Sequence, residues 1–418
     1  MKQICLFSCL AFLLMLSSCG GSSPSYAPIY REPTPTARPD QPEVVMHQAH
    51  YAANDSLHLI FRFEDLKQLM DLQQAATRID FVIRAGNTER DMLLLRDTVQ
   101  VTAAYKVQGD NSLEVPVTLP ASYVAAGNSM QVRLWLKLAG QERLGTSHRI
   151  FLNPELLQKD YLLVRAGNGR PVFRGFATTA DQLMLWRSSD TTAQPISMRL
   201  ANTTFQPALP PMSARQEPAL SSQQAAADTI RLQGGDTIRF SQEGLYLFGA
   251  GMPGKSGLLV QEGAYPLVTR VQDLIAPLIY LTTSAEREAL YSAKDQKIAL
   301  DNFWLKVAKD KSLARDLIRI YYTRVENANK LYTSYKPGWA TDRGMIYIVY
   351  GKPSNISVSG DSETWIYRES EASPYVKFVF TKKENNFTEN HFELIRNREY
   401  EENWYSTVAR WRAGITNM

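Results

Sequence analysis

The chain has 418 residues, of which 44% are hydrophobic and 21% charged, enough to form two or three domains with ordinary apolar cores. Its formal net charge of +4 is small, so we expect no nucleic-acid partner. Beyond the N-terminal segment no run of about 18 apolar residues occurs, which argues against a membrane-spanning helix.

The N-terminus has the composition of an export signal. Lys2 supplies a positive charge, and an apolar stretch of about a dozen residues runs from Ile4 to Leu16, too short to span a bilayer. It ends in Leu16-Ser17-Ser18-Cys19, which resembles the lipobox of bacterial lipoprotein precursors. The resemblance implies a signal peptide over residues 1–18 and acylation of Cys19, with chains such as palmitate that anchor the protein to a membrane. The alternative is an ordinary secretory signal in which Cys19 is incidental.

Cysteine usage fits this interpretation, because Cys5 and Cys9 lie within the signal peptide and only Cys19 remains after cleavage. A mature chain whose single thiol is acylated has no disulfide, Cys-ligated metal or thiol nucleophile. The following residues, Gly20 to Ser23, carry no charge, whereas surface-displayed lipoproteins resemble one another in having acidic residues there. We therefore expect an outer-membrane lipid anchor that faces the periplasm.

Residues 19–43 are predicted to form a tether. Six prolines stand among Ser, Thr and Tyr, with few aliphatic residues to pack into a core. Proline-rich linkers favour an extended polyproline II conformation, so the tether would hold the globular part away from the membrane.

Residues 44–152 are predicted to form a β-sandwich. Apolar and polar residues alternate from Leu57 to Phe63 and from Val132 to Leu138, and turn residues separate these runs. Several short strands at this spacing favour an immunoglobulin-like sandwich. One stretch, Glu64 to Gln74, is predicted as a short helix.

Residues 153–274 are predicted to form a second β-rich module. The sequences that begin at Asp228 and Asp236 are near-repeats on either side of Gly234-Gly235, which predicts a hairpin. The stretch from Thr203 to Ala227 is rich in Pro, Ala, Ser and Gln and is predicted to be a mobile loop.

Residues 275–418 are predicted to be an α+β module. An i, i+4 apolar stripe from Leu313 predicts a long helix with Ser312 as its N-cap, ended by Pro337-Gly338. Met345 to Tyr350 is predicted as a strand, and a hairpin follows. A last helix carries Trp404 and Trp411 on one face, whose spacing favours a place in the core.

One motif in this module resembles a known family. The heptad Gly338-Trp339-Ala340-Thr341-Asp342-Arg343-Gly344 looks like the signature of the GWxTD-domain proteins, and Asn302-Phe303-Trp304, Tyr350-Gly351-Lys352-Pro353 and Glu363-Thr364-Trp365 extend the match. The similarity covers roughly Leu281 to Arg412. The resemblance implies a bacterial, often lipid-anchored envelope protein, and it implies no particular reaction.

The heptad can be explained by the making of a turn. Gly338 would supply the positive φ of a helix stop, Trp339 would bury its ring, and Gly344 would allow a close entry into a strand. Thr341 and Asp342 have short oxygens that accept backbone N–H bonds. Arg343 would pair with Asp342 or with a nearby Glu. The functional alternative is that Asp342, Arg343 and Lys352 form the polar wall of a binding cleft.

Other motifs give no catalytic or metal site. Gly249 to Ser256 has the spacing of a phosphate-binding loop, but a strand and not a helix is predicted after it. The five histidines show no metal-ligand spacing, so we expect no metal and no cofactor.

Two functions remain open at this stage. The first is a non-enzymatic envelope scaffold or interaction module, held to the membrane by the lipid on Cys19 and bound to an envelope protein of unknown identity. The second is a periplasmic enzyme or glycan-binding protein with a cleft near the heptad. The sequence favours the first, because no catalytic set is recognisable.

Overall fold

The computed structural model describes residues 43–188, 194–201, 204–215, 229–249, 256–368, 375–385 and 387–415. The predicted signal peptide, Cys19 and the tether up to residue 42 lie outside these ranges. No helix within the described ranges is long and apolar enough to cross a bilayer.

The first module is a sandwich of two antiparallel sheets around one apolar core, as predicted. Leu57, Leu59, Phe61 and Phe63 alternate with half-buried residues along one strand, so a single face is buried. The first sheet has the order β1-β2-β5, with β1 at Val44–Ala53, β2 at Ser56–Asp65 and β5 at Ser112–Pro120. The second has the order β4-β3-β6-β7, with β3 at Ala76–Arg84, β4 at Leu93–Gln100, β6 at Ser129–Leu138 and β7 at Gln141–Phe151.

The helix predicted over Glu64 to Gln74 is wrong for most of its length. Strand β2 continues to Asp65, and only Leu72–Ala75 is helical (α1). The Asp65 carboxylate accepts backbone N–H bonds from Leu69 at 2.8 Å and Met70 at 3.2 Å, which stabilises a turn instead of a helix.

The second module also has two sheets around one core. The order of the first is β13-β10-β8, with β8 at Tyr161–Arg165, β10 at Gln182–Arg187 and β13 at Thr237–Arg239. The order of the second is β12-β11-β14-β15-β9, with β9 at Phe176–Thr178, β11 at Ile196–Ala201, β12 at Ile230–Leu232, β14 at Gly244–Phe248 and β15 at Gly257–Gln261.

The hairpin predicted across Gly234-Gly235 is wrong. Strand β12 pairs with β11 and strand β13 pairs with β10, so the turn carries the chain from one sheet to the other. Leu232 and Ile238 are both buried in the core that lies between these sheets.

The third module packs helices and a four-stranded sheet around the largest core. Its helices are α2 at Val271–Ile275, α3 at Ser284–Ser292, α4 at Gln296–Ala308, α5 at Lys311–Tyr332, α6 at Asp342–Tyr350 and α7 at Glu401–Arg412. Its sheet has the order β16-β17-β18-β19, with β16 at Asn355–Ser359, β17 at Ser362–Tyr367, β18 at Val376–Lys382 and β19 at Phe392–Leu394. β-sandwich modules followed by an α+β module confirm the predicted fold class.

Two helices differ from the predicted elements. Helix α5 is capped by Asp310, whose carboxylate accepts the Leu313 N–H at 2.9 Å, and not by Ser312. The strand predicted over Met345 to Tyr350 is helix α6. Every residue of α6 is buried, so the run shows no period that could distinguish a helix from a buried strand. The core positions of Trp404 and Trp411 are confirmed.

Side chains from neighbouring modules meet in two small apolar clusters. Ala49 of β1 packs with Leu162 and Val164 of β8, next to an ion pair between Glu64 and Arg174. Leu245 and Leu247 of β14 pack with Tyr335 and Phe387 of the third module. A further ion pair joins Glu43 to Lys352 at 3.1 Å.

Candidate functional site

The heptad forms a tight connection between α5 and α6. Gly338–Ala340 is a single 3-10 turn, and Thr341 is the N-cap of α6. The Thr341 hydroxyl accepts the Gly344 N–H at 3.0 Å and donates to the Gly338 carbonyl oxygen at 2.8 Å. One side chain therefore holds the turn and the first turn of the helix together.

The two glycines are required by close packing. A Cβ on Gly338 would stand 2.0 Å from the Ala328 carbonyl oxygen, and a Cβ on Gly344 would stand 1.8 Å from the Gly338 carbonyl oxygen. Gly338 has no positive φ, so the helix-stop explanation predicted for it is wrong, and Gly344 lies in a helix instead of before a strand.

Asp342 is buried with 3% of its surface exposed. Its carboxylate accepts the Leu394 N–H at 2.6 Å and pairs with both terminal nitrogens of Arg396, at 2.6 and 3.1 Å. This bidentate pair ties the start of α6 to β19 and to the segment after it.

Arg343 is also buried, with 6% exposed, and contacts a different set of residues from Asp342. Its guanidinium donates to Glu363 Oε2 at 3.1 Å and to the Asn390 carbonyl oxygen at 2.9 Å. It lies over the rings of Tyr332 and Phe392, with centroids 5.1 and 4.1 Å away. Its carboxylate partner is Glu363, one of the two options that the sequence left open.

Trp339 is only half-buried, so its ring does not lie fully beneath the turn as expected. The Trp339 backbone N–H donates to Asn329 Oδ1 at 3.0 Å, and its backbone carbonyl oxygen accepts the Tyr280 hydroxyl at 2.9 Å. The ring borders a cleft of about 30 Å³ that Tyr265 and Arg270 also line. This space is on the scale of a few water molecules.

Tyr265 was not identified from the sequence. Its hydroxyl accepts the Gly338 N–H at 3.2 Å and is hydrogen-bonded to the Thr333 hydroxyl. Burial raises the pKa of Tyr265, so the phenol stays neutral at ordinary pH.

Of the three side chains considered for a polar wall, Asp342 and Arg343 are buried, and Lys352 pairs with Glu43. The sequence offered no signal for Arg396 or Asn390, because their contacts with the heptad span more than 45 residues. Glu363 belongs to the extended family pattern.

A segment of the second module lies against the heptad. The structure describes residues 204–215 of the stretch predicted as a mobile loop, and Ala208 among them is 3% exposed. The Ala208 N–H donates to the Ala340 carbonyl oxygen at 2.9 Å. Residues 206–212 are hydrogen-bonded to and packed against the third module, which contradicts the mobile-loop prediction for that part of the stretch.

Two sequence observations remain, the phosphate-loop-like stretch and the histidines. Most of the phosphate-loop-like stretch, residues 250–255, lies outside the described part of the chain, and strand β15 follows it as predicted. Among the described residues, no group of three or more His, Cys, Asp or Glu could hold a metal ion.

Comparison with known families agrees with this geometry. Residues 244–413 match the family model of the GWxTD domain. The match runs from β14 to the end of α7 and includes the whole heptad, so the chain contains a GWxTD domain. No curated protein matches the chain.

Proposed function

We propose that this protein is a lipid-anchored protein of the cell envelope, and that its β modules and GWxTD domain act as a scaffold or interaction module. Cys19 would carry the lipid at the periplasmic face of the outer membrane, and an envelope protein would be the partner. The export signal, the lipobox-like tetrapeptide and the GWxTD match support this proposal.

The main support for the proposal is that the polar side chains of the heptad form their hydrogen bonds and ion pairs within the domain. Thr341 caps a helix, Asp342 pairs with Arg396, and Arg343 pairs with Glu363. Because these polar groups bond to other groups of the domain, they stabilise its surface and are not available to bind a substrate. A preformed surface of this kind suits an interaction module.

The alternative, an enzyme or a glycan-binding protein, receives less support. It requires a polar cleft beside Asp342 and Arg343, whereas both side chains are buried. The cleft beside Trp339 has a volume of about 30 Å³. Small-molecule sites usually measure roughly 300–1,000 Å³.

The lipid anchor can be tested with Cys19→Ala. We expect the wild-type protein to enter the detergent phase in phase partitioning and to incorporate labelled palmitate, and the variant to do neither. A variant that still partitions into detergent would contradict an anchor at Cys19.

The interaction role can be tested by affinity purification of the full-length protein from detergent-solubilised native membranes, with mass spectrometry of the co-purified proteins. Trp339→Ala changes the half-exposed ring of the heptad, and Tyr405→Ala changes an exposed ring on α7 as a matched control. We expect a near-stoichiometric envelope partner that is lost with Trp339→Ala and retained with Tyr405→Ala. A wild-type protein that purifies without a partner would overturn the proposal, and glycan-hydrolysis screens would follow.

A further inference from the structure

A short proline-rich segment crosses the GWxTD domain, although it belongs to the second module in sequence. This segment, here called the strap, comprises Phe205-Gln206-Pro207-Ala208-Leu209-Pro210-Pro211-Met212, between β11 and β12. It forms no strand with its own module and lies on the surface made by the heptad and the residues after β19.

The strap is held mainly by its backbone. The Ala208 N–H donates to Ala340 of the heptad at 2.9 Å, and the Pro211 carbonyl oxygen accepts the Asn397 N–H at 3.1 Å. Two cations bind further carbonyl oxygens, Arg396 that of Leu209 at 3.1 Å and Lys336 that of Gln206 at 3.1 Å. Contacts to backbone atoms recognise an extended conformation more than a particular set of side chains.

Burial along the strap is uneven. Ala208 and Pro211 are buried, whereas Phe205 and Pro210 are exposed. The prolines favour an extended conformation up to Pro210, where a turn begins with the Ser213 N–H donating to the Pro210 carbonyl oxygen at 2.9 Å. At the ends of the strap, Met212 packs against the core of the domain, and the Phe205 ring lies edge-on to Trp339 with centroids 6.3 Å apart.

The heptad builds the surface on which the strap lies. Asp342 orients Arg396 through the bidentate pair, and Ala340 supplies an acceptor from the turn itself. Lys336 is buried with 1% exposed, and its ammonium donates to the strap. Because these groups lie on α6, on the turn before it and after β19, the site is preorganised by the domain.

We propose that the GWxTD domain carries a binding site for an extended proline-rich peptide, that the strap occupies this site in cis, and that a proline-rich segment of a partner protein can replace it. This inference rests on the proposed role as an interaction module and names the class of partner. A tethered strap has an effective concentration on the order of millimolar, so it excludes weak competitors and admits only a tighter or multivalent segment.

The test is the binding of a fluorescent peptide that spans Thr204 to Ser213 to the purified chain without its signal peptide. Ala208→Lys places a long cationic side chain at a buried position near Arg396 and Lys336, and so expels the strap. Ala214→Lys makes the same change at an exposed position and is the matched control. Fluorescence anisotropy measures binding to each protein.

We expect Ala208→Lys to bind the peptide at least about 10-fold more tightly than the wild type and Ala214→Lys, in which the strap still competes. A peptide that itself carries Ala208→Lys should not bind. A folded Ala208→Lys protein that binds the peptide no better than the control would overturn the inference. Should that protein fail to fold, a double variant with Pro210→Gly and Pro211→Gly loosens the strap, and the same comparison decides.

The peptide-binding test and the affinity purification can fail independently of each other. A partner captured from native membranes together with a strap variant that binds no peptide would contradict the peptide site and leave the interaction role standing. Peptide binding without a captured partner would support the site and contradict the interaction role as proposed.

Discussion

The first β-sandwich and the GWxTD domain build their cores from different side chains. Within the described residues, the sandwich core is almost wholly apolar. Asp65 is the one buried carboxylate or cationic side chain there, and His50 and His148 are half-buried. The GWxTD domain buries Lys336, Asp342, Arg343 and His391 beside its apolar core. Charges removed from water require partners of matching geometry.

The two regions differ in the contacts that determine how their strands and helices are arranged. In the sandwich, alternation along β2, β5 and β6 decides which face is buried, and hence the register. In the GWxTD domain, the pairs Asp342–Arg396 and Arg343–Glu363 fix α6 relative to the sheet. If these long-range polar contacts specify the domain, removing one of them should cost more than removing an exposed ion pair.

The largest effect is expected from Asp342→Ala. The substitution leaves the Arg396 guanidinium without its buried carboxylate, and breaking such a pair costs about 3–5 kcal/mol of unfolding free energy. Asp301→Ala removes an exposed partner of Lys297 and should cost less than about 1 kcal/mol. Urea denaturation monitored by Trp fluorescence measures both variants. Equal losses would show that the buried pair has no special role.

A large effect of unusual sign is expected from Gly344→Ala. Within a helix this change ordinarily stabilises a protein by up to about 1 kcal/mol. Here the new Cβ would stand 1.8 Å from the Gly338 carbonyl oxygen, so we expect a loss of about 1–3 kcal/mol. Gly360→Ala, at a positive φ with open space around it, is the control and should cost about 1 kcal/mol. A Gly344→Ala protein as stable as the wild type would refute the close packing of the turn.

The difference between local patterns and long-range contacts explains how much of the fold and of the site could be predicted from the sequence. The sandwich was predictable because the alternation from Leu57 to Phe63 is local. Helix α6 was predicted as a strand because all its residues are buried, and its long-range partner Arg396 has no local signature. The strap was predicted as a loop because proline-rich sequence resembles a linker until the surface that binds it is known.

The sandwich should be the more acid-sensitive of the two regions. Burial, with a contribution from the Lys159 charge, lowers the pKa of His50 to about 3, and burial lowers the pKa of His148 to about 4. The unfolded chain, with histidine pKa values near 6.5, therefore binds more protons than the folded one between about pH 6.5 and 4. Stability should be fully present above pH 6.5 and fall by about 1 kcal/mol per histidine on going from pH 7.5 to 5.5.

Thermal unfolding between pH 7.5 and 5.5 measures this loss for the wild type and for His148→Gln. Because glutamine does not titrate, the variant should lose less stability on acidification than the wild type. Identical pH dependence in the two proteins would contradict a half-buried His148 that stays neutral in the folded protein.

The smallest effect is expected from Thr341→Ala, a substitution within the heptad. Loss of an N-cap side chain costs about 1 kcal/mol, and here both the Gly344 N–H and the Gly338 carbonyl oxygen are buried and would lose a partner. Thr283→Ala removes the cap of α3 at an exposed position, where water can replace the hydroxyl, and should cost less. Thr341→Ser retains the hydroxyl and should restore most of the loss. If Thr341→Ala were no more costly than Thr283→Ala in urea denaturation, the heptad threonine would be an ordinary cap, and its burial would not explain its place in the motif.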